Sequence, residues 1–248
     1  MTFKLKVYKL FMVRVNVMIL QGEVIKINIQ LPKKPFVYNN GAAVVKGNIL
    51  YIYRPVDFNE LMYALTYAIH TEEHGEILKC HYCGIELPIT RSTLDHKCPV
   101  DLGGPTIPNN LVPTCRNCNS TKGNLTEEQF ITFRGFEDKD EARAYRISIE
   151  REHRNIKRKG TIIPKEWIRP RDYPLNVIKM RMHVDVALGR GFNSIKKRYK
   201  KYGTILRPVI VSANEELLDG FNVCLFAKTN NCWKIVTVIR LDNVVTMY

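Results

Sequence analysis

Two Cys-x-x-C pairs, Cys80-His-Tyr-Cys83 and Cys115-Arg-Asn-Cys118, bracket residues 84–114 of a 248-residue chain. Each pair puts two thiolates within reach of one tetrahedral ion, and together they fill its four positions. That is the pattern of a structural zinc, with no position left for a substrate or water. Buried thiols at chance spacing are the plain alternative, and two pairs in so short a stretch argue against it. Between and just after the pairs run Asp95-His96, Gly103-Gly104, Asn109-Asn110-Leu111, Asn119 and Lys122-Gly123. An imidazole takes up a proton close to neutral pH, which makes His96 a candidate for acid–base work. Taken singly these residues are weak signals, because Asp-His is a common dipeptide and Asn119 could simply cap a helix. Their order inside a four-cysteine frame is what gives them weight.

In that order the segment from about Cys80 to Asn124 resembles the HNH endonuclease family, in its zinc-stapled subclass. The pattern of that subclass is a C-x-x-C, an Asp-His, a Gly-Gly loop, an Asn-Leu, and a second C-x-x-C followed by Asn and Lys-Gly. The resemblance implies a two-stranded hairpin packed on a helix around one metal. It also implies roles by position: Asp95 and Asn119 as ligands of a catalytic divalent ion, magnesium or manganese, His96 as general base, and Asn110 as the residue that holds the loop. Phosphodiester hydrolysis asks for such groups on chemical grounds as well. An imidazole can deprotonate the attacking water, and a hard cation can offset charge on the scissile phosphate. Asp95 and His96 are consecutive, so on a strand they face opposite ways, and one must turn at the strand end if both serve one site. Lys122 is a candidate phosphate contact, with a solvated lysine as its rival, and Arg116 is a weaker one.

The remaining chain must position this segment. A net charge of +14 and a pI near 9.5 make nucleic acid the leading partner, although a ribosome-associated or membrane-surface protein carries a similar excess. Residues 141–201 hold 18 Lys and Arg against 6 Asp and Glu, so nearly all of the excess is there. Within it, Lys196, Lys197, Arg198, Lys200 and Lys201 lie on an expected helix, Asn193–Tyr202, and are candidate contacts to a phosphate backbone. DNA is the expected substrate, with RNA not excluded. Lys4, Lys6, Lys9 and Arg14 interrupt the apolar start of the chain, so neither a signal peptide nor a membrane anchor is expected, and the cysteine pattern reads as cytoplasmic.

The expected fold class is α+β in four stretches. Residues 1–75 form a β-rich unit of unassigned role, with strands at Glu23–Ile29 and Asn48–Tyr53, a turn at Asn39-Asn40-Gly41, and a helix capped by Asp57 or Asn59. His70 and His74 share a face of that helix, and without a third ligand such a pair is a surface feature. Residues 76–136 carry the nuclease-like ββα-metal module, 137–172 a basic helical linker ending its helix at Gly160, and 173–248 an α+β unit. In that last unit the run from Leu206 through Leu217-Leu-Asp-Gly220 to Lys228 resembles the ParB-like fold, which also includes sulfiredoxin. That family places a phosphate-binding arginine three residues after the glycine, where this chain has Val223, so nucleotide cleavage is not expected. Cys98, Cys224 and Cys232 lack paired spacing and read as core. The alternative to a nuclease is a zinc-stabilised nucleic-acid-binding protein that cuts nothing. A double-strand break would need two sites, hence a homodimer or two successive nicks.

Overall fold

The computed structural model describes residues 25–159, 190–203, 205–230 and 238–248. They fall into two compact units. One comprises 29–154 with 247–248, and the other comprises 25–28 with the described residues from 155 to 246. The first two residues of the expected Glu23–Ile29 strand, the end of the basic linker, Gly160 and Cys232 lie outside the described residues.

In the first unit, Asn39, Asn40 and Gly41 all take positive φ, a conformation that asparagine and glycine tolerate best. That turn lets β2 (Phe36–Tyr38) pair antiparallel with β3 (Ala43–Lys46), which pairs in turn with β4 (Ile49–Ile52). The helix α1 (Phe58–His74) starts as expected at Asp57, whose side chain accepts a hydrogen bond from the Glu60 amide at 3.0 Å. Phe58, Leu61, Met62, Leu65 and Ile69 recur at three and four residues and are buried on one face of α1.

Two hairpins follow. β5 (Ile77–Lys79) pairs with β6 (Glu86–Pro88), and β7 (Thr93–His96) pairs with β8 (Leu111–Thr114). Three helices complete the unit: α2 (Arg116–Lys122), α3 (Glu127–Arg134) and the part of α4 (Lys139–Lys159) up to Arg154. Thr126 and Gln129 close a reciprocal capping box at the start of α3. Cys80, Leu87, Cys118, Leu125, Phe130 and Ile149 form one apolar cluster, so the cysteine-bearing turn, β6, α2, α3 and α4 share a core. A fully buried ring such as Phe130 contributes about 1.5–3 kcal/mol.

In the second unit, β1 (Ile25–Ile27) runs parallel to β11 (Val238–Leu241), and β11 runs parallel to β9 (Val209–Ser212). β10 (Leu217–Asp219) closes that edge antiparallel, giving the order β1-β11-β9-β10. β1 therefore belongs with the chain's last strands, not with the N-terminal stretch expected from sequence. All four residues of β9 are buried, as suits a strand covered on both faces. α5 (Arg190–Tyr202) and α6 (Phe221–Asn230) pack over the sheet through Phe192, Val223, Phe226 and Ala227. Gly220 is required between β10 and α6: its φ is +96°, and a Cβ there would sit 2.9 Å from Val209 Cα. β12 (Val244–Thr246) ends the unit, with Ala213 donating to Val244 O at 2.7 Å.

Among the described residues no helix is long and apolar enough to cross a membrane.

Candidate active site

The turn between β5 and β6 and the start of α2 bring the cysteines together. Gly84 N donates to Cys80 O at 2.9 Å and closes the first turn, while Cys115 caps α2 and places Cys118 one turn in. The Sγ atoms of Cys80, Cys83, Cys115 and Cys118 all lie within 4.8 Å of one another, with Cys83 and Cys115 at 3.9 Å. Zinc–sulfur bonds of about 2.3 Å in a tetrahedron require sulfurs about 3.8 Å apart, so the four residues fit zinc. Their protonation is uneven. Burial opposes ionisation of Cys80, but hydrogen bonds from the backbone of Cys115, Cys83 and Tyr82 outweigh it and bring the thiol down to about 7. Burial and the neighbouring sulfurs push Cys118 up. Cys98 and Cys224 are both pushed up to about 12 by burial and stand apart from the cluster.

β7 and β8 pair in step from Thr93↔Thr114 to His96↔Leu111, with no shift of register. Alternation then sends Thr93 and Asp95 to one face and His96 to the other. Side-chain contacts agree with this. Asn119 Nδ2 donates to Thr93 Oγ1 at 3.0 Å, and Lys122 Nζ meets Asp95 Oδ2 at 3.0 Å. Asn119 and Lys122 are three residues apart on α2, so the helix lies along β7 and faces Thr93 and Asp95 together. Asp95, 6 % exposed, also accepts from the Tyr82 hydroxyl on the same Oδ2 at 2.8 Å. Proximity to that carboxylate comes second to burial in pushing the Tyr82 phenol above its ordinary range.

His96 is the last residue of β7, and its Nε2 shares a hydrogen bond with Thr106 Oγ1 at 3.0 Å. Burial lowers its pKa below the ordinary 6.5; Asp95 acts in the opposite sense and Lys122 in the same sense. Burial thus favours the neutral ring, the form that can accept a proton. Asn110 fastens the loop that carries Thr106. Its Oδ1 accepts from Cys98 N at 2.9 Å, and its Nδ2 donates to Cys98 O at 3.0 Å and to Pro105 O at 2.9 Å. Lys97 N donates to Asn110 O at 2.8 Å, tying the loop's far end to the end of β7. The loop is so tight at Gly104 that a Cβ would lie 1.9 Å from Cys98 O and 3.0 Å from Asn110 Nδ2.

Lys122 departs from the sequence expectation. Its side chain is 0 % exposed, and Nζ donates to His96 O at 2.7 Å besides meeting Asp95. An ammonium enclosed in this way is an internal tie between α2 and β7, not a surface contact for phosphate. Arg146 of α4 reinforces it by donating to Thr121 O at 2.6 Å and Lys122 O at 3.2 Å, which satisfies carbonyls at the end of α2.

Residues 80–125 match the family model described as HNH endonuclease. No curated protein and no solved structure matches the chain. The HNH match begins at the first cysteine of the cluster and ends at Leu125, three residues beyond Lys122, so it encloses the four clustered cysteines, β7, β8 and α2. The chemistry of the donor set can be compared with a hard divalent cation. Asn119 commits its Nδ2 to Thr93, which leaves Oδ1 as its ligand atom, and both contacts of Asp95 fall on Oδ2, leaving Oδ1. Two protein oxygens, with water completing the shell, suit magnesium or manganese. The Lys122 ammonium on the same carboxylate reduces the negative charge that such an ion would meet.

Three parts of the HNH segment escaped sequence reading: Tyr82 as the partner of Asp95, Thr106 as the partner of His96, and the enclosure of Lys122. Only the last left a trace, since Lys122 stands one helical turn after Asn119. The basic residues of α5 lie in the other unit. Lys196, Lys197, Arg198, Lys200 and Lys201 are all exposed, while Phe192, Ile195 and Tyr199 pack on the core. Val223 is fully buried in that core.

Proposed function

We propose that the chain is a metal-dependent endonuclease that hydrolyses DNA phosphodiester bonds, one strand per site. The observation that carries this reading is the coincidence of the HNH match with four convergent thiols and with an imidazole at the end of β7 that is hydrogen-bonded to Thr106. His96 takes the proton from the attacking water at a ring nitrogen. Thr106 holds the ring by its hydroxyl, and Asn110 holds the loop that presents Thr106. Asp95 and Asn119 hold the divalent ion, which when bound supplies electrostatic stabilisation of charge on the phosphate and leaving oxygen. The four cysteines hold a structural zinc that fixes the start of α2, and with it Asn119, against β7.

The one-signed outer face of α5 would contact backbone phosphates without reading sequence, and such contacts weaken with salt. The unit that carries α5 resembles the ParB-like fold in its strand, Leu-Asp-Gly turn and helix. With Val223 buried where that family carries arginine, we assign it a positioning role on nucleic acid and no nucleotide cleavage.

Two observations favour a second reading, a zinc-stabilised binding module that cuts nothing: Asp95 is already paired with an internal cation, and His96 leaves β7 on the face opposite Asp95 and Asn119, with no turn at the strand end to bring them together. Nicking of supercoiled plasmid separates the two. Wild-type protein, zinc-loaded, should nick with magnesium or manganese and not with a chelator selective for them, and Asn119→Ala should lose the metal response. Absence of nicking by the wild type on duplex, branched and single-stranded substrates, with retained binding, would establish the binding module instead.

A further inference from the structure

The end of α1 holds three metal-ligating side chains that the nuclease reading does not use. Up to Ile69, α1 spends its buried positions on the core. In its last turn the helix presents His70, Glu73 and His74, and their ligand atoms all lie within 4.8 Å of one another. The two imidazoles, four residues apart, are stacked with centroids 6.5 Å apart and planes at 15°. Glu73 Oε2 is 3.8 Å from His74 Nε2. The histidine pair, which by sequence lacks a third ligand, therefore has one within reach.

We propose that His70, Glu73 and His74 form a second transition-metal site, of the zinc, nickel or copper class, with at least one coordination position open. Metal–ligand bonds of about 2.0–2.2 Å place neighbouring ligand atoms of a zinc ion about 3.3–3.6 Å apart. The three groups need to close by at most about 1.5 Å, which side-chain rotation supplies, because Glu73 and His74 are exposed. His70 is the anchor. It is half-buried, whereas Glu73 and His74 are exposed.

The neighbouring carboxylate is committed elsewhere: Glu72 accepts from Lys33 N at 2.8 Å and Lys34 N at 2.6 Å, so Glu73 is the acid that completes the set. The helix keeps its geometry to the end, with Gly75 N donating to Thr71 O at 2.8 Å, so the four-residue spacing of the histidines is maintained. Two imidazoles and one carboxylate select borderline metals over magnesium or calcium. Three protein ligands leave a tetrahedral ion one position for water or an exchangeable ligand, in contrast to the closed four-cysteine shell.

The test is a metal titration of untagged full-length protein already holding one zinc, using zinc against a chromophoric chelator and cobalt(II) by absorption. A second equivalent should bind in the wild type, and its cobalt spectrum should lack the thiolate charge-transfer band that marks the cysteine site. Glu73→Gln and His74→Ala, both at exposed positions, should each weaken that second equivalent by at least about tenfold and leave the first unchanged. Asp95→Asn should leave the second equivalent in place, which separates this site from the nuclease metal. The proposal is overturned if no second equivalent binds, or if its affinity is unmoved by both α1 substitutions.

Discussion

Replacing Lys122 with methionine tests the tie between α2 and β7 at its most enclosed point. The ammonium is 0 % exposed and sits 3.0 Å from Asp95 Oδ2 and 2.7 Å from His96 O. Methionine fills much of the volume but leaves a buried carboxylate with the Tyr82 hydroxyl as its remaining contact and leaves the His96 carbonyl without its donor. Breaking a buried ion pair from one side costs about 3–5 kcal/mol, and the surviving Tyr82 bond places the expected loss near the lower end, about 3 kcal/mol. At about 2–4 °C per kcal/mol for a domain of this size, that corresponds to a fall in Tm of about 6–12 °C. Lys122→Met/Asp95→Asn removes both charges and keeps an acceptor for Tyr82, so the double variant should be more stable than Lys122→Met alone, with a coupling of about 2 kcal/mol. Cobalt-substituted protein allows the measurement to be confined to the relevant unit, because loss of thiolate charge-transfer absorbance in urea reports the cysteine-bearing module. A single variant within about 1 kcal/mol of wild type, or losses that simply add in the double variant, would show that the buried ammonium is not the tie described.

Five further outcomes follow from the geometry. The rate of nicking should fall on the acid side with a midpoint below 6.5, since burial keeps His96 neutral to lower pH than a free imidazole; a pH–rate profile with its midpoint at or above 6.5 contradicts this. The same depression means that stability from neutral His96 is present above 6.5 and is lost as pH falls through the folded-state value, which urea unfolding at several pH values measures. Gly104→Ala forces the loop apart, because Cβ would meet Cys98 O at 1.9 Å; a loss of about 1–3 kcal/mol in stability and a marked loss of nicking are expected, by denaturation and plasmid assay. Removing zinc with a strong chelator, or by Cys115→Ser, should abolish the cooperative unfolding of the cysteine-bearing unit in calorimetry. Lys197→Gln/Lys200→Gln should weaken DNA binding uniformly across sequences and reduce the slope of log affinity against log salt by about one for each phosphate no longer neutralised, read by fluorescence anisotropy.

The convergence of the cysteines and several turns could be read before the fold, because Cys-x-x-C spacing and turn formation depend on residues close in sequence. Cys-x-x-C spacing, the Asn39-Asn40-Gly41 turn, the Asp57 cap and the Leu217-Leu-Asp-Gly220 turn into α6 each rest on local geometry. What sequence could not supply were relations set by packing over longer spans. β1 joins β11 across some two hundred residues, and no pattern in Ile25-Lys26-Ile27 says which strand it will meet. Lys122 reads as a surface lysine because lysine is seldom buried, and its enclosure follows only once Asp95, Tyr82 and the His96 carbonyl are assembled around it. Glu73 shows the same limit: its place beside the two histidines depends on which of the adjacent acids turns back to Lys33 and Lys34, and that acid is Glu72.

If His96 is the base of a hydrolytic site, its removal must slow bond cleavage without disturbing the frame around it, and single-turnover nicking by His96→Ala reads that effect without an intermediary. With zinc content and the cobalt spectrum matching wild type, and magnesium or manganese saturating, the variant should nick at least about a hundredfold more slowly, the usual contribution of a positioned general base. A rate equal to wild type would remove His96 from the chemistry.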